Sequence, residues 1–196
     1  MIPQEKNDLR SAQDRAKQSA AEMVKRIPRT LQKSEENIAQ QVKHHKGNPF
    51  TKLALLHRLL DEFGAVAKPY VACKSGCAAC CHYNVSLLPV EAEYIERTTG
   101  HKRLPDPLKP QDFHGQPCPF LKHGSCSVYR ARPISCRMHV SFAATPYWCD
   151  PDRSSAGEFR SVDLTGIREA LIDIAKGYGG LGHTDIRQVF KARPSR

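Results

Sequence analysis

Cysteine is the residue type with the richest chemistry in this 196-residue chain, and its eight copies all lie in the middle of the sequence. Four of them occur in the run Cys73-Lys-Ser-Gly-Cys77-Ala-Ala-Cys80-Cys81. The two residues between Cys77 and Cys80 allow consecutive thiolates to turn onto one metal ion. Gly76 suits a backbone that must curl around such a site. The run therefore predicts a metal site.

The remaining four cysteines follow at longer intervals, each beside turn-forming residues: Cys118, Cys126, Cys136 and Cys149. Side chains of successive residues usually point in different directions. We therefore expect one cysteine of the Cys80-Cys81 pair to have its role elsewhere and not at the first metal site. The eight thiols admit two four-thiolate sites, or one site with four bystander cysteines buried as small hydrophobic groups. Disulfides or unliganded core thiols are the alternative, and a reducing cytosol disfavours the disulfides.

All eight cysteines are candidate ligands of zinc or iron: Cys73, Cys77, Cys80, Cys81, Cys118, Cys126, Cys136 and Cys149. A four-thiolate zinc site and a four-thiolate iron–sulfur cluster both carry excess negative charge. Arg130, Arg132 and Arg137 are close to the last cysteines and could donate hydrogen bonds to sulfur, with ordinary solvated charge as the alternative. Two histidines and a tyrosine also adjoin cysteines and are weaker candidates for ligands or proton donors: His82, Tyr83 and His139.

Five segments combine these cysteines with particular neighbours: Gly76-Cys77-Ala-Ala-Cys80-Cys81, Cys118-Pro-Phe-Leu, Cys126-Ser-Val-Tyr129, Arg132-Pro-Ile-Ser-Cys136-Arg137 and Cys149-Asp150. Together they resemble the YkgJ-like zinc- or iron-chelating family, also known as the CxxCxxCC or flagellin N-methylase-like family. The resemblance covers roughly residues 70–155. It departs from the family pattern before Cys77, where three residues rather than two follow Cys73. The resemblance implies binding of zinc or iron, the latter including a 4Fe-4S cluster.

Two functions follow from this resemblance. The first is a cysteine-cluster protein whose metal has a structural, redox or accessory role. The second is an enzyme like the family's founding members, which N-methylate flagellin lysines and are associated with an iron–sulfur cluster; its catalytic residues are left unassigned. A methyl donor commonly needs a glycine-rich loop after a strand, whereas Gly177-Tyr-Gly-Gly-Leu-Gly182 follows a predicted helix and is typical of a helix end. The first cysteine run also has the spacing of a radical S-adenosylmethionine motif, but Ala79 replaces the usual aromatic residue.

The excess of basic residues suggests a further alternative, a metal-stabilised module that binds nucleic acid. The formal net charge is +10 and the isoelectric point is about 9.3, and aromatic residues near the last cysteines could stack on bases. The basic residues are spread along the chain, so a mildly basic, solvated surface is the simpler interpretation. A protein partner or protein substrate also fits the sequence, which leaves the oligomeric state open.

Helices must position these thiols, and local sequence predicts five of them: residues 4–27, 30–46, 49–67, 89–99 and 164–176. Only the third has a pronounced apolar face, formed by Leu53, Leu56, Leu60 and Phe63 at spacings of three and four. We expect one side of this helix to pack against the cysteine module. Residues 101–119 contain five prolines and predict a long loop that something else, such as a metal, must hold in place.

The sequence thus predicts a mainly α fold with an irregular, loop-rich cysteine module and a small β content at most. Residues 1–48 are expected to form a polar helical extension, residues 49–176 the cysteine-cluster domain with its packing helices, and residues 177–196 a Gly-rich basic tail. No segment approaches the run of about 20 apolar residues that a membrane span needs. The first residues also lack the pattern of a signal peptide or presequence, so we expect a cytoplasmic protein without membrane contact.

Overall fold

The structure is a computed structural model that describes residues 8–74, 76–159 and 161–192. Most of its regular structure is helical, so the predicted mainly α fold is confirmed. The helices are α1 (Leu9–Arg26), α2 (Arg29–His44), α3 (Pro49–Ala67), α4 (Pro89–Thr99), α5 (Ile134–Met138), α6 (Thr165–Lys176) and α7 (Ile186–Val189). The predicted start of the first helix at residue 4 and the end of the predicted tail lie outside the described residues.

The β content is small, as expected, and consists of two antiparallel ladders of two-residue strands. These strands are β1 (Ser86–Leu87), β2 (Leu121–Lys122), β3 (Ser125–Cys126) and β4 (Thr184–Asp185). Strand β1 pairs with β4, whereas β2 and β3 form a hairpin. His123 and Gly124 connect that hairpin with φ angles of 48° and 73°, which suits the two-residue turns that join twisted strands.

One hydrophobic core lies among α1, α2, α3 and α6. The predicted apolar face of α3 is buried: Leu53, Leu56, Leu60 and Phe63 are at most 7% exposed. Helix α1 contributes a narrow stripe of small and medium-sized residues, which is buried although the helix is polar overall: Ala12, Ala16, Ala20 and Met23. Their spacing of three and four places them on one helix face. Helix α1 therefore packs through a face made mainly of alanine, which gives only a weak hydrophobic pattern in the sequence.

Helices α2 and α6 approach each other closely at Gly166. A Cβ atom at this position would lie 2.1 Å from the Glu35 carbonyl oxygen, so only glycine permits this crossing. The Glu35 side chain also accepts a hydrogen bond from the backbone nitrogen of Ile167, at 3.2 Å. This contact fixes the start of α6 against α2.

Glu91 joins α4 to α5, the short helix that carries Cys136. Its carboxylate is 3% exposed and accepts hydrogen bonds from the backbone nitrogens of Leu88 and Ile134, at 3.0 and 2.8 Å. At the other end of α4, Gly100 has the left-handed φ of 69°, as expected for a glycine that ends a helix. The two ends of α4 are thus held by local hydrogen bonds, and its first turn also anchors α5.

A second hydrophobic cluster lies beneath the cysteine module. It consists of Val85, Leu87, Ala92, Ile95, Phe120, Val128, Ala131, Ile186, Val189 and Phe190. Three cysteines pack against it, namely Cys118, Cys126 and Cys136. Strand β4 and helix α7 come from the segment predicted as a tail and pack here, although the predicted domain division as such stays a prediction. Within the described ranges, no helix is both long enough and apolar enough to cross a membrane.

Candidate metal centre

The first cysteine run folds into consecutive tight turns. The backbone nitrogen of Cys77 donates to Lys74 O at 3.0 Å, and that of Cys81 donates to Ala78 O at 3.0 Å. Residues Ala79–His82 form one turn of 3₁₀-helix. All eight cysteines of the chain are free thiols of intermediate exposure, so their sulfur atoms are available as ligands.

Ser141 brings two distant cysteines together. Its backbone nitrogen donates to Cys73 Sγ at 3.4 Å, while its carbonyl accepts from the backbone nitrogen of Ala72 at 2.8 Å. The Ser141 side chain hydrogen-bonds the Cys149 thiol and favours its charged form, against the larger effect of burial, which raises the pKa of Cys149. Cys73 and Cys149, which are far apart in the sequence, therefore share one neighbour.

The segment that ends in Cys149 also contacts the first cysteine run directly. Residues Pro146–Cys149 form a 3₁₀ turn that lies against the turn Ala79–His82. Tyr83 Oη donates to the backbone carbonyl of Cys149 at 2.6 Å. These contacts place Cys149 beside the first run, although twelve residues separate it from the preceding cysteine, Cys136.

Cys81 lies with the later cysteines. Its backbone carbonyl accepts a hydrogen bond from the Cys118 backbone nitrogen at 2.7 Å, and Leu121 N donates to Cys118 O at 2.9 Å. Leu121 is in turn the strand partner of Cys126. A chain of backbone contacts therefore connects Cys81, Cys118 and Cys126, and Cys136 packs on the same hydrophobic cluster.

Cys80 and Cys81 interact through their sulfur atoms. Their side chains share a hydrogen bond that raises the pKa of Cys80 and lowers the pKa of Cys81. The thiolate form is therefore favoured on Cys81, with Cys80 donating its proton to that sulfur. In the turn Ala79–His82, Cys80 thus favours the thiol form and the adjacent Cys81 favours the thiolate form.

Burial and mutual repulsion disfavour thiolates elsewhere in the cluster. Burial raises the pKa of Cys118 to about 11 and also raises the pKa of Cys136. Neighbouring thiolates add to this effect: Cys80, Cys118 and Cys126 raise the pKa of Cys136. Like charges crowded in this way are stabilised by a bound cation, which also makes thiols lose their protons.

Among the three arginines predicted from the sequence, Arg132 is the one whose charge acts on several cysteine thiols. It lowers the pKa values of four cysteines, against the dominant effects of burial or hydrogen bonding: Cys73, Cys80, Cys126 and Cys136. Among the residues that the structure describes, its buried Nε has no hydrogen-bond partner, and neither has Nε1 of Trp148, the residue before Cys149. Buried donors normally have acceptors. Thiolate or sulfide sulfur would supply them here.

The other two arginines predicted from the sequence, Arg130 and Arg137, have different environments. Arg137 is 8% exposed and forms an ion pair with Asp61 of α3. Its guanidinium also donates to the backbone carbonyls of Arg130 and Arg132. Arg137 therefore links α3 to the module, which agrees with the expectation that α3 packs there, whereas the Arg130 residue is exposed.

Tyr83 and the histidines near it form an aromatic support for the cysteine turns. The Tyr83 ring stacks on His114 with centroids 5.6 Å apart and meets His139 edge-on at 5.3 Å. Burial raises the pKa of Tyr83 to about 12, and burial lowers the pKa of His139. Since its hydroxyl donates to a backbone carbonyl, Tyr83 positions the Cys149 segment.

Three residues at this site carry no signal in the sequence: Ser141, Trp148 and Arg187. Arg187 is 6% exposed and donates to the carbonyls of Cys81 and Tyr83, both at 3.0 Å. It belongs to a segment whose composition is typical of a tail. Neither this residue nor Ser141 lies in a recognisable motif, so only the fold associates them with the cysteines.

The donor set of this cluster fits zinc or iron. Thiolate sulfur is the soft ligand that zinc and iron–sulfur clusters use, whereas magnesium and calcium prefer oxygen. In the part of the chain that the structure describes, no three His, Cys, Asp or Glu side chains are already spaced to hold one ion. Metal binding would therefore include closure of these turns around the ion.

The comparison with protein families agrees with this chemistry. Residues 72–150 match the family model CxxCxxCC, whose description is "putative zinc- or iron-chelating domain". This match confirms the family resemblance that the cysteine segments indicate. No curated protein and no solved structure matches the chain.

Proposed function

We propose that residues 72–150, the segment that matches the CxxCxxCC family model, bind zinc or an iron–sulfur cluster through cysteine thiolates. The metal would act first as a structural element of the module, and a redox or accessory role would build on it. One observation carries the proposal: the segments that carry eight free, partly buried thiols contact one another. Buried nitrogen donors of Arg132 and Trp148 in these segments have no hydrogen-bond partner among the described residues.

The loops of this module need a source of order. Residues 101–120, 139–159 and 161–164 contain little regular structure, and ordering each such residue costs about 1–2 kcal/mol of backbone entropy. The hydrophobic cluster beneath them is small. A four-thiolate site contributes its binding free energy directly to folding, so a metal would offset this cost where apolar burial is limited.

The first test is elemental analysis with a visible spectrum, on protein purified without oxygen and without added metal. Stoichiometric zinc in a colourless protein would identify a structural zinc module. Iron with acid-labile sulfide and a brown colour would identify a cluster and favour a redox role. The proposal would be wrong if the protein contained neither metal and took up neither zinc nor iron and sulfide on reconstitution.

A cysteine variant tests whether the thiolates hold the metal. We expect Cys77→Ser to lose bound metal, because a serine hydroxyl is a poor replacement for thiolate on zinc or iron. Ser125→Ala is the matched control, since Ser125 is exposed and pairs in strand β3 through its backbone. Equal metal content in Cys77→Ser and the unchanged protein would contradict the role of this cysteine.

A further inference from the structure

We infer that the eight thiols form two adjoining four-thiolate groups, divided at the peptide bond between Cys80 and Cys81, and that each group takes its own metal. The first thiol group is Cys73, Cys77, Cys80 and Cys149. The second thiol group is Cys81, Cys118, Cys126 and Cys136. This inference rests on the proposed metal-binding function and specifies how its ligands are divided.

Contacts around Ser141 and Tyr83 define the first thiol group. Ser141 touches both Cys73 and Cys149, and the Cys149 turn lies against the turn that contains Cys80. The backbone nitrogen of Cys77 donates to Lys74 O at 3.0 Å, which keeps Cys77 close to the Cys73 segment. Two distant segments that together carry four cysteines are therefore in contact.

The second thiol group is built on the β2–β3 hairpin. Cys118 precedes β2 by three residues and Cys126 ends β3, and both contact Leu121 at the open end of this hairpin. The Cys81 carbonyl accepts a hydrogen bond from the Cys118 backbone nitrogen at 2.7 Å. Three of these four cysteines also pack on one hydrophobic cluster.

The geometry of a 3₁₀-helix explains how adjacent cysteines serve different groups. Such a helix has 3.0 residues per turn, so successive side chains point about 120° apart. Cys80 and Cys81 lie in the 3₁₀ turn Ala79–His82, and their sulfur atoms hydrogen-bond each other. The Cys80 and Cys81 side chains can therefore point toward different groups, although the two residues are neighbours in the chain.

Arg132 lies where one cation can serve both groups. Its charge acts on Cys73 and Cys80 of the first thiol group and on Cys126 and Cys136 of the second. A four-thiolate site is anionic whether it holds zinc or a cubane cluster. The positive charge of Arg132 would offset part of this negative charge and so reduce the repulsion between the two sites.

Cobalt(II) titration can count the groups, because cobalt in a tetrahedral thiolate site gives intense visible and near-ultraviolet bands. Metal-free protein, kept reduced and without oxygen, is titrated with Co²⁺ alone while these bands are recorded. We expect the bands to saturate at about two equivalents per chain, one for each four-thiolate group. Saturation at one equivalent would overturn the division into two groups.

Single variants identify the members of each group. Cys149→Ser should remove the first cobalt equivalent and Cys126→Ser the second, so that each variant saturates at about one equivalent with tetrahedral bands. Ser125→Ala, the neighbour of Cys126, should retain both. Loss of all thiolate-bound cobalt in both cysteine variants would indicate a single shared site and contradict the inference.

The titration separates this inference from the function on which it rests. The cobalt stoichiometry of the unchanged protein is measured without any variant, so it does not depend on whether the variants fold. Circular dichroism shows whether each variant retains its helices. Absence of any cobalt–thiolate band in the unchanged protein would contradict metal binding itself. One equivalent with clear tetrahedral bands would leave metal binding intact and overturn only the two groups.

Discussion

At the scale of single residues, Arg132 has an unusual combination of contacts. Its guanidinium lies over the Tyr129 ring at 4.1 Å, and its Nε has no hydrogen-bond partner within the described part of the chain. Its charge favours the thiolate form of four cysteines. A planar ring contact fixes the guanidinium and leaves its edge for acceptors. Arg132 is therefore suited to stabilise ligand sulfurs without coordinating the metal.

Replacing Arg132 tests this role. Arg132→Gln removes a positive charge that lowers the pKa values of nearby thiols, so those values rise, and metal ligands must lose their protons. We expect metal affinity at neutral pH to fall by about 10–100-fold, and half-maximal loading to occur at higher pH. A competition assay with a chromogenic chelator, repeated across pH, measures both effects.

Arg130→Gln is the control for this experiment, because it removes the same charge from an exposed neighbour. It should leave the affinity and the pH profile close to those of the unchanged protein. If both variants shifted the profile equally, net charge rather than the position of Arg132 would be responsible.

At the scale of elements, α7 secures the turns of the second thiol group. Arg187 extends from this helix and donates to four backbone carbonyls: those of Cys81, Tyr83, Gln116 and Pro117. The adjacent Asp185 carboxylate accepts from the backbone nitrogen of Val85 at 2.6 Å. The carbonyl groups of a loop lack the backbone hydrogen-bond partners that a helix provides. The guanidinium of Arg187, which has several N–H donors, supplies those hydrogen bonds instead.

Substitution of Arg187 should therefore weaken one metal group more than the other. Lysine in its place keeps the charge but cannot reach several carbonyls at once, and each unpaired buried group costs about 1–3 kcal/mol. We expect Arg187→Lys to lower the free energy of unfolding by about 2–4 kcal/mol. The cobalt affinity of the second thiol group should decrease more than that of the first.

Chemical denaturation and cobalt titration of the same protein preparations measure these two effects. Lys191→Gln is the control, since Lys191 is exposed just after α7. Equal weakening of both cobalt equivalents by Arg187→Lys would mean that α7 supports the module as a whole and not one group of thiols.

At the scale of the whole molecule, two hydrophobic clusters have different sources of stability. The larger one lies among long helices whose backbone hydrogen bonds are internal, and it includes buried Leu53, Leu56 and Ile167. The smaller one lies beneath loops and short ladders. Regions with few buried apolar contacts open at lower free energy than a packed core, so the module should depend most on metal.

Metal removal should consequently affect the two regions unequally. On addition of a strong chelator under reducing conditions, we expect new protease cleavage within residues 101–120 and 139–164. Most of the helical circular dichroism signal should persist, because the long helices pack on one another. Limited proteolysis with mass spectrometry locates the cuts, and readdition of Zn²⁺ or Co²⁺ should restore resistance. Unchanged cleavage after complete metal removal would contradict a structural role for the metal.

The sequence by itself determined the features that depend on near neighbours along the chain. Helix α3 spans the residues that its apolar spacing predicts, and its first turn is capped by Asn48, whose side chain accepts from Phe50 N and Thr51 N at 3.0 Å. Gly100 ends α4 as expected. The cysteine order indicated a resemblance to a zinc- or iron-chelating family, and residues 72–150 match the model of that family. These signals are local because caps, periodicity and ligand spacing involve residues a few positions apart.

Only the tertiary structure decided which distant residues become neighbours. The cysteine spacings left the eight thiols open to several divisions, whereas Ser141 places Cys73 beside Cys149 and a backbone hydrogen bond places Cys81 beside Cys118. The buried position of Arg187 could not be predicted either, because the segment around it is basic and Gly-rich, which is typical of an exposed tail. Such contacts depend on loop closure and on the packing of whole elements, and no local pattern in one sequence records them.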